Sequence, residues 1–286
     1  MESTTALIVR VTPGVHWHAL EDDVVVGRGH ALHRADGRAF ISIDTWADDV
    51  FVALAEAMTQ DLPAPVYTVV AEDDREHLGR WAMLGFRDNR REDEYAIPTA
   101  PGATGLEGAQ LPPGITLLPA DAVDEDRLRR LDEAVRQDVP GYAGWVNQPE
   151  EFHRLTFENR WFDPTTYLIA VREGEYIGFV RILGLRRQPR LGLVGVLPAH
   201  RRQGLARALL AAAFRPLHER GIGTVSAEAD EANPASRALL RGVGAVRTGG
   251  AVELVRHAGA AARVWAEVAG PLDTRVDTNE KQGTKN

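Results

Sequence analysis

Residues 191–210, LGLVGVLPAHRRQGLARALL, constrain the fold more than any other stretch of this chain. An apolar run ends at Val196, a proline-bearing turn follows, and a basic loop with Gly204 opens directly into an Ala- and Leu-rich segment of helical spacing. A strand that feeds a helix through so short a loop belongs to a sheet with helices on its faces. The same junction suits an anion, because the first turn of a helix has unpaired N–H groups and the positive end of the helix dipole. Arg201 and Arg202 add mobile charge, Gly204 lets the backbone approach a diphosphate, and Ala206 keeps the next approach uncrowded.

The surrounding pattern extends this unit. Strands are predicted over Ile115–Pro119, Tyr167–Arg172, Tyr176–Leu183, Leu191–Val196 and Thr224–Ala229, with a final hairpin over Val246–Val255. Helices are predicted over Asp121–Gln137, Pro149–Asn159, Leu205–Glu219 and Pro234–Arg241. The first half repeats the order in shorter form, with strands at Val24–Arg28, His30–His33, Ala39–Asp44, Val66–Val70 and Glu92–Ile97 and helices at Asp48–Thr59 and Asp74–Leu84. A shift of 159 positions places Asp74 on Asn233, Trp81 on Leu240 and Leu84-Gly85-Phe86 on Val243-Gly244-Ala245. Residues 99–114, rich in Pro and Gly and without an apolar period, read as the connection between the halves. The expected division is 1–98, a linker at 99–114, a second domain at 115–257 and an extension at 258–286 that loses its apolar residues from about 272. The fold class is α/β with mixed sheets, in two domains.

Composition narrows the chemistry. Cysteine is absent, which removes disulfides, thiolate metal sites and a cysteine-borne acyl intermediate. The nine histidines show no metal-ligand spacing, and no metal is expected. No apolar run is long enough for a membrane helix and MESTTALIVR lacks a basic segment followed by a long apolar one, so the expected address is the cytoplasm. Residues 1–100 carry 18 acidic side chains against 9 Arg, and the remainder is nearly balanced. That acidity disfavours nucleic acid and anionic membranes and favours a cationic partner, with solubility as the alternative account.

Arg201-x-x-Gly204-x-Ala206 resembles the Q/R-x-x-G-x-G/A signature of the GNAT acetyltransferases, and Asn233-Pro-Ala-Ser236-Arg-Ala-Leu239-Leu240 resembles that family's N-x-x-[AS]-x-x-L-Y motif. The resemblance covers residues 115–257 in element order and, more faintly, residues 20–98, a tandem layout similar to mycothiol-synthase-like enzymes. It implies acetyl-CoA as co-substrate, its diphosphate held by Arg201, Arg202, Gln203, Gly204, Leu205, Ala206 and Arg207. Its pantetheine arm would lie beside Asn233 and Ser236, along a splayed strand edge at Val194-Gly195-Val196 whose N–H groups would also face the thioester carbonyl. Two departures stand out. The family's frequent Tyr falls on Leu240, and Leu191–Val196 lacks the Glu that many members carry there.

Glu228 and Asp230, at the end of the following strand, are therefore the candidate catalytic carboxylates, each with a solvated strand-end or helix-cap role as the alternative. Asp138, Tyr142 and Trp145 lie in the loop where family members contact the acceptor, and an acid with aromatics there suits a cationic amine by charge pairing and cation–π attraction. The first half carries Thr45-Trp46-Ala47-Asp48-Asp49 where the diphosphate loop would be, without glycine and with two acids. Asp48 and Asp49 read as helix-cap and first-turn residues, and that half as a scaffold or one wall of the cleft. The expected reaction is acetyl transfer to the primary amine of a small cationic molecule, by analogy an aminoglycoside or capreomycin-like antibiotic. The alternatives are a mycothiol-synthase-like acceptor, or binding of acetyl-CoA or an antibiotic without catalysis. Monomer and homodimer both remain open.

Overall fold

A computed structural model describes residues 6–11, 15–34, 36–142, 144–184 and 188–259; the tail expected from about 272 lies outside these. In chain order the first half contains β1 (Leu7–Val11), β2 (His16–Glu21), β3 (Val24–His33), β4 (Ala39–Thr45), α1 (Asp48–Asp61), β5 (Val66–Ala71), α2 (Arg75–Met83) and β6 (Arg87–Pro98). A one-turn α3 (Pro101–Thr104) leads to β7 (Ile115–Pro119), α4 (Glu125–Arg136), α5 (Pro149–Thr156), β8 (Tyr167–Arg172), β9 (Glu175–Leu183) and β10 (Arg190–Val196). The chain then forms α6 (Leu205–Glu219), β11 (Thr224–Asp230), α7 (Pro234–Gly242) and β12 (Val246–Arg256). No described helix is long and apolar enough to cross a membrane.

The sheet is continuous, in the order β1-β2-β3-β4-β5-β12-β6-β11-β10-β9-β8-β7. The closing strands are exchanged between the halves. β6, from the first half, pairs antiparallel with β11, and β12, from the second, pairs antiparallel with β5; β6 and β12 lie side by side between them. The cores reflect the exchange: Tyr95 and Ile97 of β6 pack among Leu209, Phe214 and Val225, while Val252 and Leu254 of β12 pack among Phe51, Met58 and Trp81. Fully burying an Ile, Leu or Val contributes about 1.5–3 kcal/mol, so each half is stabilised by several kcal/mol through the other's strand.

Val246–Arg256 is one strand rather than a hairpin, because β5 and β6 satisfy both of its edges. Val24–His33 is likewise a single strand; Gly29 does not break it, and a Cβ there would stand 2.4 Å from Met58 Sδ, so the glycine serves close packing of α1. Strands β1 and β2 were not foreseen. Helix α4 starts at Glu125, after a 3-10 turn at Ala120–Ala122, with Asp124 accepting from the Arg127 N–H as its cap. The cap of α1 is Ala47 rather than Asp48, which lies in the first turn with Asp49.

Segment 99–114 does not run free. Leu106 is buried in the second core, and the Arg207 guanidinium donates to the Gly105 carbonyl at 2.6 Å. The internal likeness of the halves holds at their caps. Asp74 accepts from the His77 N–H and Asn233 from the Ser236 N–H, both at 3.0 Å, and Gly85 and Gly244 both adopt left-handed φ after the helix. In each half the central parallel pair separates after two residue pairs, β4 from β5 beyond Phe40↔Tyr67 and β10 from β11 beyond Leu191↔Ala227.

Candidate acyl-donor and acceptor site

The separation of β10 from β11 frees one main-chain edge of β10 from Gly192 onward, and a bulge between Leu191 and Leu193 turns the strand at that point. Gly195 sits where α4 crosses the strand. A Cβ on it would stand 2.0 Å from Val135 Cγ1, so its role is close packing rather than flexibility.

Beyond β10 the chain makes a 3-10 turn at Pro198–His200 and reaches α6 with Arg202 at φ 63° and Gly204 at φ 82°, both left-handed. Such a conformation points successive N–H groups into one concavity. Among the described residues the N–H groups of Leu205, Ala206 and Arg207 have no protein acceptor, and the first bond of α6 runs from Ala208 N to Gly204 O at 3.1 Å. They open onto a groove of about 470 Å³ lined by Val194, Gly195, Val196, Gly204, Asn233 and Ser236 among others. Nothing stands within 4 Å of a Cβ at Gly204, so this glycine answers to its φ rather than to crowding.

The side chains sort differently from the sequence reading. Arg201 is anchored rather than mobile, donating from Nε to the Val196 carbonyl at 2.8 Å and from a terminal nitrogen to Asp138 at 2.6 Å. Arg207 ties α6 to the Gly242 carbonyl at 2.7 Å as well as to Gly105. Arg202 and Ala206 line the groove; Gln203 does not. His200 lines it as well, with Nδ1 buried and without a protein partner among the described residues.

A smaller cavity of about 120 Å³ fills the gap between β10 and β11 and shares Val139, Val194, Asn233, Ser236 and Leu239 with the groove. Leu240 is buried in its wall, with no hydroxyl there. Three carboxylates line it: Glu228 and Asp230 on β11, and Glu92 on β6 directly opposite Asp230. Glu228 is paired with Arg190. Asp230 accepts from the Ala232 N–H at 2.7 Å and stands 3.5 Å from Arg90. Glu92 stands 2.8 Å from Arg90, yet burial pushes its carboxyl above the usual range, and nearby Glu228, Asp230 and Glu253 push the same way. The Arg90 guanidinium also meets Glu253 at 3.2 Å.

The loop at Gly141–Trp145 is propped by the first half. Arg38 donates to the Gly141 carbonyl, and Arg90 packs so closely beneath Gly141 that a Cβ there would stand 2.9 Å from its nitrogen. The guanidinium carbon of Arg34 lies 4.9 Å and 5.4 Å from the ring centres of Tyr142 and Trp145, and that of Arg136 lies 5.3 Å and 5.0 Å from the same rings. The protein's own cations thus occupy the aromatic faces, and Asp138 is engaged by Arg201. A further cavity of about 300 Å³ continues past Arg136 and Tyr142 to Arg34, Asp132 and Arg181.

The sheet is split at its central parallel pair and free amides stand at the mouth of the following helix, an arrangement suited to an anion such as a diphosphate. Residues 131–245 match the profile of the Acetyltransferase (GNAT) family, and that family uses acetyl-CoA. In sequence the chain is 28% identical to the mycothiol acetyltransferase of Frankia alni over 238 residues, covering 77% of this chain and 70% of that one. It is 32% identical to the mycothiol acetyltransferase of Thermobispora bispora over 155 residues, about half of each chain, 51% and 52%. In fold it is similar to a GCN5-related N-acetyltransferase from Sphaerobacter thermophilus (TM-score 0.65, 19% identity, 85% of this chain and 80% of that one). A tandem GNAT protein from the clavulanic acid biosynthesis pathway is comparable (TM-score 0.63, 15% identity, 85% and 82%).

Proposed function

We propose that this protein transfers acetyl from acetyl-CoA directly to a primary amine of a small molecule, and that the acceptor is a mycothiol-synthase-like amino-sugar thiol conjugate. What supports the donor assignment above all is the set of unpartnered N–H groups at Leu205–Arg207, opening onto a groove continuous with the free edge of β10. In this reading those amides and the helix dipole hold the diphosphate, and Asn233 and Ser236 flank the pantetheine arm. N–H groups of Val194–Val196 then face the thioester oxygen, where each well-placed donor contributes a few kcal/mol as negative charge develops.

What supports the acceptor class is twofold. The relatives named above are mycothiol acetyltransferases. The cavity beside β10 also balances its charges, with Arg90, Arg136 and Arg190 against Glu92, Glu228 and Asp230, which suits a polar acceptor with one amine better than a polycation. The acidity of residues 1–100 favours the second reading, a cationic antibiotic such as an aminoglycoside or capreomycin-like peptide. Free-CoA release across a panel of amino-sugar thiol conjugates, aminoglycosides and cationic peptides separates the two, with Gly204→Trp as control. Turnover confined to the cationic drugs overturns the acceptor assignment, and full turnover in Gly204→Trp overturns the donor site.

A further inference from the structure

We infer that Glu92, carried on the exchanged strand β6 of the half that lacks the diphosphate loop, is the general base for the acceptor amine. The inference rests on the acetyl-transfer reading above.

Strand β10 carries no carboxylate between Arg190 and Val196, so the proton lost by the attacking nitrogen must go elsewhere. Of the three carboxylates lining the cavity at the β10–β11 gap, two are engaged by other groups. Glu228 is paired with Arg190. Asp230 fixes the turn into α7, its side chain accepting from the Ala232 N–H at 2.7 Å and its carbonyl from the Asn233 N–H at 2.9 Å. Among the described residues Glu92 is paired with Arg90 alone, as Glu228 is with Arg190, but Arg90 divides itself among Glu92, Asp230 and Glu253. About a quarter of its side chain remains accessible, 24%, and it lines the same cavity as Leu193 and Val194.

Register places it there. Glu92 opposes Asp230 across the β6–β11 ladder, so it shares the sheet face of Glu228 and Asp230, whereas Tyr95 and Ile97 turn into the core with Val225 and Ala227. Burial also sets its proton affinity: a carboxylate pushed above its ordinary range is a better acceptor for an ammonium proton near neutral pH. In the step itself the amine nitrogen forms a bond to the thioester carbonyl carbon and the carbon–sulfur bond breaks. The CoA thiolate leaves with the electron pair and takes a proton from water, and the Glu92 carboxylate takes the proton the nitrogen loses.

The test uses the full chain with acetyl-CoA and an acceptor that the wild type acetylates. Glu92→Gln is expected to lower kcat by about 100-fold or more, in the range usual for loss of a general base. Its acetyl-CoA Kd should stay within about twofold, because Glu92 does not line the diphosphate groove. The acidic limb of the wild-type kcat/KM profile should vanish in Glu92→Gln and persist, displaced, in Glu92→Asp. Gln is also expected to fold, since it matches the neutral form that burial favours and leaves Arg90 with Asp230 and Glu253. A purely structural Glu92 would instead show a lower Tm with kcat and the acidic limb intact, which would overturn the inference. A wild type that consumes acetyl-CoA with no amine defeats the functional reading itself, a distinguishable result.

Discussion

Replacing Gly195 with alanine tests whether α4 and β10 are as tightly locked as the geometry requires. The new Cβ would stand 2.0 Å from Val135 Cγ1 and 3.2 Å from Val135 Cβ, against the roughly 3.5–4.0 Å at which carbon atoms rest. Val135 cannot swing away easily, because a β-branched side chain in a helix keeps essentially one rotamer. Either α4 lifts or β10 shifts, and overpacking of this kind costs about 1–3 kcal/mol. Val135→Ala alone removes two buried carbons at about 0.8 kcal/mol each, plus a share of cavity cost, near ~2 kcal/mol in all. In the double variant the methyl introduced at position 195 occupies the space the valine gave up, so the two losses should not add. Urea unfolding of the four proteins should return a favourable coupling energy of about 2 kcal/mol. Acetyl-CoA calorimetry should follow suit, with affinity lost in Gly195→Ala and regained in the double variant, because β10 carries the amides of the proposed donor site. Additive losses in stability would refute the packing argument.

Gly204→Ala forces a left-handed φ of 82° on a residue with a Cβ but meets no neighbour within 4 Å. A stability loss of about 1 kcal/mol and a roughly fivefold weaker acetyl-CoA Kd are expected, and no change in either counts against the loop geometry. Asp132 is buried, which alone would raise its carboxyl, yet Arg136 at 2.5 Å and Asn147 at 2.9 Å hold it below the usual range. Its stabilisation is therefore complete above the unfolded carboxyl's pKa, near pH ~4, and lost as pH falls through the lower folded value. Asp132→Asn should cost about 3–5 kcal/mol at neutral pH and flatten that acid-side loss in a Tm-against-pH series. Asp138→Asn breaks an exposed pair with Arg201 and should shift stability by less than about 1 kcal/mol, so a large rise in acceptor KM at constant Tm would mark Asp138 as an acceptor contact. A fragment of residues 99–259 lacks β6 and should stay unfolded or aggregate by circular dichroism and light scattering until residues 87–98 are supplied as a peptide; a folded monomer without the peptide would contradict the exchange.

What the sequence disclosed was the local part of the fold. Helix α6 runs over the residues expected at both ends, and α7 begins at the expected Pro234, because these features depend on neighbours a few positions away. The splayed strand at Val194–Val196 came from the family resemblance carried by Arg201-x-x-Gly204-x-Ala206, since no local pattern marks where a parallel pair separates. The exchange was not. Alternation along Arg87–Pro98 shows that one face is buried but not which sheet buries it, since that choice lies in contacts with residues far along the chain, on β11 and β12. Glu92 was hidden for the same reason. Within Arg90-Arg91-Glu92-Asp93-Glu94 it reads as a solvated charge run, and only pairing with β11 sets it opposite Asp230. That arginines cover Tyr142 and Trp145 was not legible in the loop itself, because they come from helix α4 and from the other half of the chain, Arg136 and Arg34.

Exchange of closing strands explains how a half without a diphosphate loop can persist in such a chain. Its turn at Thr45–Asp49 has no left-handed glycine, and its helix opens with two acids, so it offers an anion nothing. That turn lies far along the sheet from β10, however, and the strand pairings do not depend on it. What the second half takes from the first is β6, which closes its sheet at β11 and carries Arg90 and Glu92 into the cavity beside β10, together with Arg34 and Arg38 beneath the loop at Gly141–Trp145. Substitutions confined to the first half's own turn should therefore be tolerated, while those on the inward face of β6 should register in the second half's stability and activity alike.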